Sequence, residues 1–206
     1  MNPKIVIIDY GMGNLRNVQR GFEKVGFVAK VTRSKKEIEK ASGIVLPGVG
    51  AFKDCMVNLD KYDLTEPILR SIEKGKPYFG ICLGLQILFS ESEEFGLHKG
   101  LDVVKGKVVR FDPDPERKVP HMGWNTVEME KDTPMLKGIR NGDFFYFVHS
   151  YYAEPKEPVT IATTEYGFHF TSAVQKSNVF GIQFHPEKSQ KAGLQMLKNF
   201  AEMQQP

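Results

Sequence analysis

The chain has 206 residues, 41% of them hydrophobic and 26% charged, with a formal net charge of +3. That balance is that of an ordinary globule, long enough to bury a core without disulfides or a structural metal. The charge is modest and spread along the chain, so it argues for no nucleic acid or other polyanion as partner, and two cysteines without a C-x-x-C spacing exclude a disulfide scaffold and a zinc framework.

Residues 4–8 form a continuous apolar run, the mark of a strand buried on both faces. The run is too short for a signal peptide, and no stretch approaches transmembrane length, so no membrane role and a cytoplasmic location are expected. Asp9-Tyr10-Gly11-Met12-Gly13-Asn14 reads as a turn, after which Leu15, Val18, Phe22 and Val25 fall at helical spacing with Gly26 as the stop. Residues 28–31 read as a second strand, and Ser34-Lys35-Lys36-Glu37 as a capping box opening a short polar helix. A third buried strand, 43–46, ends in Pro47-Gly48-Val49-Gly50. Ile68, Leu69 and Ile72 mark a helix before Gly75, and residues 77–81 form the next strand. This alternation predicts an α/β fold: a doubly wound, mostly parallel sheet with helices on both faces.

The second half changes character. Segments 105–111, 125–130, 144–148, 159–164, 170–175 and 179–184 are strand-like, and some are expected as antiparallel additions to one edge of the sheet. Asp112-Pro113-Asp114-Pro115-Glu116 reads as a charged surface loop, and Leu194, Leu197 and Phe200 predict a final helix. No repeat or linker is apparent, so residues 1–206 are expected to form one domain.

The chemistry centres on Gly80-Ile81-Cys82-Leu83-Gly84-Leu85-Gln86. An apolar strand runs into Gly-x-Cys-x-Gly, and Leu85, Leu88 and Phe89 predict a helix after it. This is the strand-to-helix elbow of hydrolases with cysteine in place of serine. Two glycines suit a turn that crowds the backbone on both sides of the nucleophile, and a helix N-terminus favours a thiolate. Alone, Cys82 reads equally well as a small core residue.

The last strand delivers His185-Pro186-Glu187. Proline keeps residue 185 extended, and residues two apart in an extended chain point the same way. Glu187 is therefore expected to orient His185, whose other ring nitrogen faces Cys82, giving nucleophile, base and orienter. The Leu83 N–H, with Val49 or Gly50 from the neighbouring turn, is the expected oxyanion hole. All these segments lie at predicted carboxyl ends of strands, where open α/β sheets collect ligands.

Other motifs fail. Gly11-x-Gly13 lacks the third glycine of a dinucleotide fingerprint, and Gly100…Gly106-Lys107 has the wrong spacing for a phosphate loop. His98, His121 and His169 lack metal-like spacing. Trp124 suits either a core or an interface.

Pro47-Gly48-Val49-Gly50, Gly80-Ile81-Cys82-Leu83-Gly84-Leu85-Gln86 and His185-Pro186-Glu187, in that order, resemble the triad-type (class I) glutamine amidotransferases over essentially the whole chain. Asp9-Tyr10-Gly11-Met12-Gly13-Asn14-Leu15, His121-Met122-Gly123-Trp124-Asn125 and Val148-His149-Ser150-Tyr151 are most similar to the branch that serves imidazole glycerol phosphate synthesis. The resemblance implies a glutaminase with a Cys82-His185-Glu187 triad and glutamine held by Gly50, Gln86, Glu94, Ser150 and Tyr151. It also implies a (β/α)8-barrel cyclase as heterodimer partner, met by Asn14, His121, Trp124 and Lys188, and neither cofactor nor metal. A sister glutaminase with another acceptor, a cysteine peptidase-like hydrolase and a flavodoxin-like binding module remain as alternatives.

Overall fold

The computed structural model describes residues 5–112 and 118–204. Most of the predicted acidic, proline-broken loop at 112–116 and the first residue of the predicted strand at 4–8 lie outside them.

In chain order the elements are β1 (Ile5–Ile8), α1 (Leu15–Lys24), β2 (Ala29–Thr32), α2 (Lys35–Lys40), β3 (Gly43–Gly48), α3 (Phe52–Lys61) and α4 (Thr65–Glu73). The nucleophile segment follows as β4 (Tyr78–Cys82) and α5 (Leu83–Gln86). Then come β5 (Phe89–Ser92), β6 (His98–Lys99), β7 (Val104–Arg110), β8 (His121–Thr126), β9 (Glu128–Met129), β10 (Phe144–His149) and β11 (Tyr151–Pro155). The chain ends with β12 (Thr160–Glu165), β13 (His169–Lys176), β14 (Val179–Ile182) and α6 (Gln190–Glu202).

The main sheet runs β2-β1-β3-β4-β14-β13-β11-β7-β5-β6. From β2 to β14 every pairing is parallel. Beyond β14 the pairing turns antiparallel through β13 and β11 to β7, as expected for one edge. Alternate residues serve opposite cores. Ile5, Ile7, Val45, Phe79 and Ile81 pack with Val18, Phe22 and Phe200 of α1 and α6. Val6, Ile8, Ile44, Leu46 and Tyr78 pack with Ile38, Phe52, Leu59 and Ile68 of α2 to α4. Both faces are covered, which is why these strands read as unbroken apolar runs.

Several expectations are corrected. Ser34 makes no side-chain cap, and the Glu37 carboxylate turns to Lys30 and Thr32 on β2, leaving the Ser34 N–H to donate to Thr32 Oγ1. The predicted strand at 28–31 begins at Ala29, leaving Val28 exposed. The helix after Cys82 is a single turn, because Phe89 leaves it to pair with Val104 in the sheet. Tertiary pairing thus overrides the helical spacing of Leu85, Leu88 and Phe89, and the helix-dipole argument shrinks with the helix. The predicted strand at 125–130 is two strands separated by buried Val127. Strands β8 and β10 form a separate two-stranded sheet rather than an edge addition. Helix α3 and strands β5, β6 and β11 were not anticipated. Among the described residues no helix is long and apolar enough to cross a membrane.

Candidate active site

Strand register assembles the site. Gly48 at the end of β3 lies opposite Cys82, and Ile182 of β14 lies opposite Ile81. The nucleophile strand is therefore flanked by the strand that leads into Val49-Gly50 and by the one that leads into Gln183, Phe184 and His185.

Cys82 adopts φ 55° and ψ −107°, a strained setting for a residue with a Cβ, of the kind that costs about 1–3 kcal/mol and clusters at functional sites. The turn tolerates no side chain on either flank. A Cβ on Gly80 would lie 2.2 Å from the Gly84 carbonyl oxygen, and one on Gly84 would lie 1.8 Å from that of Leu46. Both glycines are therefore steric requirements of the elbow.

His185 is extended, as the following proline requires, and its side chain is buried. Glu187 reaches it from a 3-10 turn over Pro186–Lys188, not from an extended chain as expected, with Oε1 2.9 Å from Nδ1. Burial alone would lower the His185 pKa, but the neighbouring Cys82 sulfur and the Glu187 carboxylate outweigh it and raise it to about 10. The imidazole is thus held charged at neutral pH beside the sulfur, and its buried Nε2 has no hydrogen-bond partner among the described residues. The backbone around His185 is pinned to β10: its N–H donates to the Tyr146 carbonyl at 2.9 Å, and Ser189 Oγ links the His185 carbonyl to the Tyr146 N–H.

A cavity of about 330 Å³ opens over these groups, lined in part by Val49, Gly50, Cys82, Leu83 and His185. Its volume is at the small end of ligand sites, roughly 300–1,000 Å³. Gln86, Glu94, Ser150 and Tyr151 complete the predicted set on its walls. Glu94 follows β5 and is half-buried, and its carboxylate accepts the Phe52 N–H at 2.6 Å. Burial holds that carboxyl above the usual range, opposed by this same hydrogen bond.

The residues expected to meet a partner divide. Trp124 is 47% exposed and packs edge-on against Tyr146, over whose ring the Lys188 ammonium sits at 5.3 Å. Asn14 is half-buried before α1. His121 is 3% exposed, so it cannot meet a partner directly. It points inward because β8 alternates, sending Met122 and Trp124 out and His121 in. Its ring lies between Phe147 and Tyr166 and bonds His149 at 2.9 Å. Burial pushes His121 down to about 4 and His149 down to about 3, so both are neutral.

Four contributors were missed: Pro120, Val148 and His149 on the cavity wall, and Gln183, whose amide nitrogen lies 3.6 Å from Cys82 Sγ. The available signal was a polar residue closing an apolar strand run, His149 after 144–148 and Gln183 within 179–184.

The sequence model of the family described as glutamine amidotransferase class-I matches residues 6–203. The chain belongs to the class-I glutamine amidotransferases. Among family members it is 55% identical over 205 residues to imidazole glycerol phosphate synthase subunit HisH of Syntrophotalea carbinolica, covering 97% of this chain and 100% of that protein. It is 54% identical to the subunit of the same name from Geobacter sulfurreducens, covering 97% and 99%. In fold it is similar to the PurLQS structure from Thermotoga maritima, with a TM-score of 0.77 at 19% identity over 100% of both chains. A glutamine amidotransferase crystal structure, also from Thermotoga maritima, gives 0.69 at 17% identity over 99% of this chain and 98% of that one. These two likenesses concern the amidotransferase fold alone.

Proposed function

We propose that this class-I amidotransferase is the glutaminase subunit of an imidazole glycerol phosphate synthase, and that residues 1–206 act as one catalytic domain. One observation carries the chemistry: Cys82 stands at positive φ on a strand-to-helix elbow, with His185 lining the same cavity and the buried Glu187 carboxylate bonded to its ring. Identity of 55% across 97% of the chain to a subunit of that name supports the pathway. It disfavours a sister glutaminase serving another acceptor.

In this reading the Cys82 thiolate attacks the side-chain amide carbon of glutamine. Leu83 N–H, with Val49 or Gly50, receives the developing oxyanion. Charged His185 gives its proton to the departing nitrogen, so ammonia leaves and a glutamyl thioester remains. Neutral His185 then takes a proton from water, the hydroxide adds to the thioester, and glutamate departs as the thiolate returns. Glu187 keeps the imidazole oriented through both halves. Gln86, Glu94, Ser150 and Tyr151 hold the amino acid, with Glu94 meeting its ammonium group.

Ammonia released to water is protonated and loses its nucleophilicity, so an acceptor must close over the cavity. The outward face of the β8–β10 sheet offers a surface for it: Met122, Trp124 and Phe144 are exposed there, and Val49 is exposed at the cavity mouth. The proposed occupant is a (β/α)8-barrel cyclase that uses the ammonia on a ribulosyl nucleotide in the cytoplasm. Asn14, Trp124 and Lys188 are its proposed contacts, while His121 lies on the inner face of β8, the strand that displays Trp124.

The test is glutamate release by wild type and Cys82→Ala, each mixed with the barrel cyclase and its nucleotide. Turnover by wild type only in the complex, and none by Cys82→Ala, is expected. A complex that forms but releases no glutamate defeats the assignment.

A further inference from the structure

The bonding around one backbone carbonyl determines which way two buried amides point. The Tyr151 carbonyl can only accept, so the Gln86 atom 2.9 Å from it is the amide nitrogen Nε2. That nitrogen's second hydrogen is directed at Gln183, 3.1 Å away, which must therefore present its oxygen Oε1. The Gln183 amide nitrogen is left facing Cys82, 3.6 Å from Sγ. Gln183 is fully buried and follows Ile182, which pairs with Ile81, so the strand register itself sets it beside Cys82. A buried amide is costly unless its donors find acceptors, and here the acceptor in reach is the sulfur.

We propose that Gln183 is a positioning residue for the nucleophile. Its N–H group, oriented through Gln86 by the Tyr151 carbonyl, holds the Cys82 sulfur in place and shares its negative charge as the thiolate. This rests on the thiolate chemistry proposed above. Gln183 neither gives nor takes a proton; the sulfur exchanges its hydrogen bond for the bond to the amide carbon as attack proceeds. His185 lies two residues further on, so one short segment supplies the sulfur with both a proton donor and a fixed dipole.

The test compares wild type with Gln183→Met, which keeps much of the volume but loses the amide, and Gln183→Glu, which keeps the oxygen toward Gln86 and loses the donor. Two readouts are taken on the full chain. One is the rate of iodoacetamide modification at Cys82 at neutral pH, followed by peptide mass spectrometry; the other is kcat and KM for glutamine with the partner present. Cys55 is an internal control, since burial pushes that thiol up to about 12. Gln183→Met is expected to slow both alkylation and kcat by about 10- to 100-fold, the scale of one hydrogen bond to a charged group, with KM within about twofold. Gln183→Glu is expected to be slower still, and both variants to retain the wild-type circular dichroism spectrum.

A folded variant that alkylates and turns over like wild type overturns the proposal. So does a raised KM with unchanged alkylation, which would make Gln183 a substrate contact instead. Failure of wild-type Cys82 itself to alkylate would count against the glutaminase reading rather than against the role of Gln183 within it.

Discussion

His149 donates its Nδ1–H to the carbonyl of Tyr151 at 2.8 Å, and this one bond fixes the direction of a longer chain. With Nδ1 donating, His149 Nε2 must accept, so His121 Nδ1 donates to it and His121 Nε2 accepts from Asn125. The strand that displays Trp124 is thereby tied to the carbonyl that also orients Gln86.

Both histidines are buried neutral, at about 4 and about 3. In the unfolded chain each titrates near 6.5, so below that pH the unfolded state binds more protons and is favoured. Their stability contribution is whole above about pH 6.5 and is lost as the pH falls toward their folded values. Thermal melts from pH 7 to 4 should show Tm falling with pH. His149→Gln, which removes one such group, should flatten that slope by up to about 1.4 kcal/mol per pH unit. An unchanged slope would mean that the pair is not neutral in the fold.

Glu94 joins two tasks, capping the first turn of α3 through Phe52 and facing the cavity. Glu94→Gln keeps an oxygen for the Phe52 N–H but removes the charge. Its KM for glutamine should rise about tenfold or more, the scale of a charge-assisted hydrogen bond, with Tm nearly unchanged. Glu94→Ala should also lose about 1 kcal/mol of stability with the cap. Equal KM for Glu94→Gln and wild type would leave Glu94 a purely structural cap.

Gly84→Ala inserts a methyl group 1.8 Å from the Leu46 carbonyl oxygen, a contact that backbone cannot yield without shifting β3 from β4. Loss of stability of about 3 kcal/mol or more is expected in urea melts. Gly75→Ala is a useful contrast. Its Cβ meets nothing within 4 Å, so only its positive φ of 78° opposes the change, at about 1–2 kcal/mol.

Trp124→Ala should weaken binding of the barrel partner by about 2 kcal/mol or more, roughly thirtyfold in Kd, as expected of an exposed aromatic hot spot. Calorimetric titration measures it. Since Trp124 faces outward, the melting temperature of the isolated subunit should hardly move, and a large drop would place the side chain in the core instead.

Much of the fold was legible because buried parallel strands leave unbroken apolar runs, as at Ile5–Ile8 and Tyr78–Cys82. The elbow was legible for a steric reason, since Gly80 and Gly84 answer clashes within a few residues and with the adjoining strand. Helix α3 was not, because apolar Met56 and the exposed Val57 stand between its buried Cys55 and Leu59 and blur the buried face of Phe52, Cys55 and Leu59. Phe89 misled for the opposite reason: its spacing suits a helix, yet pairing with Val104 draws it into the sheet.

The sequence by itself determined the local conditions: which strands are buried, where the backbone must turn, and that Cys82, His185 and Glu187 stand at such turns. Only the tertiary structure decided what meets across the sheet. Gln183 beside Cys82 and Glu94 on the Phe52 N–H depend on strand register and on elements some 40 to 100 residues apart. The inward turn of His121 depends on which face of β8 the core covers. Hydrogen bonds between residues so distant in the chain leave no periodicity in it, because their geometry exists only once the strands have paired.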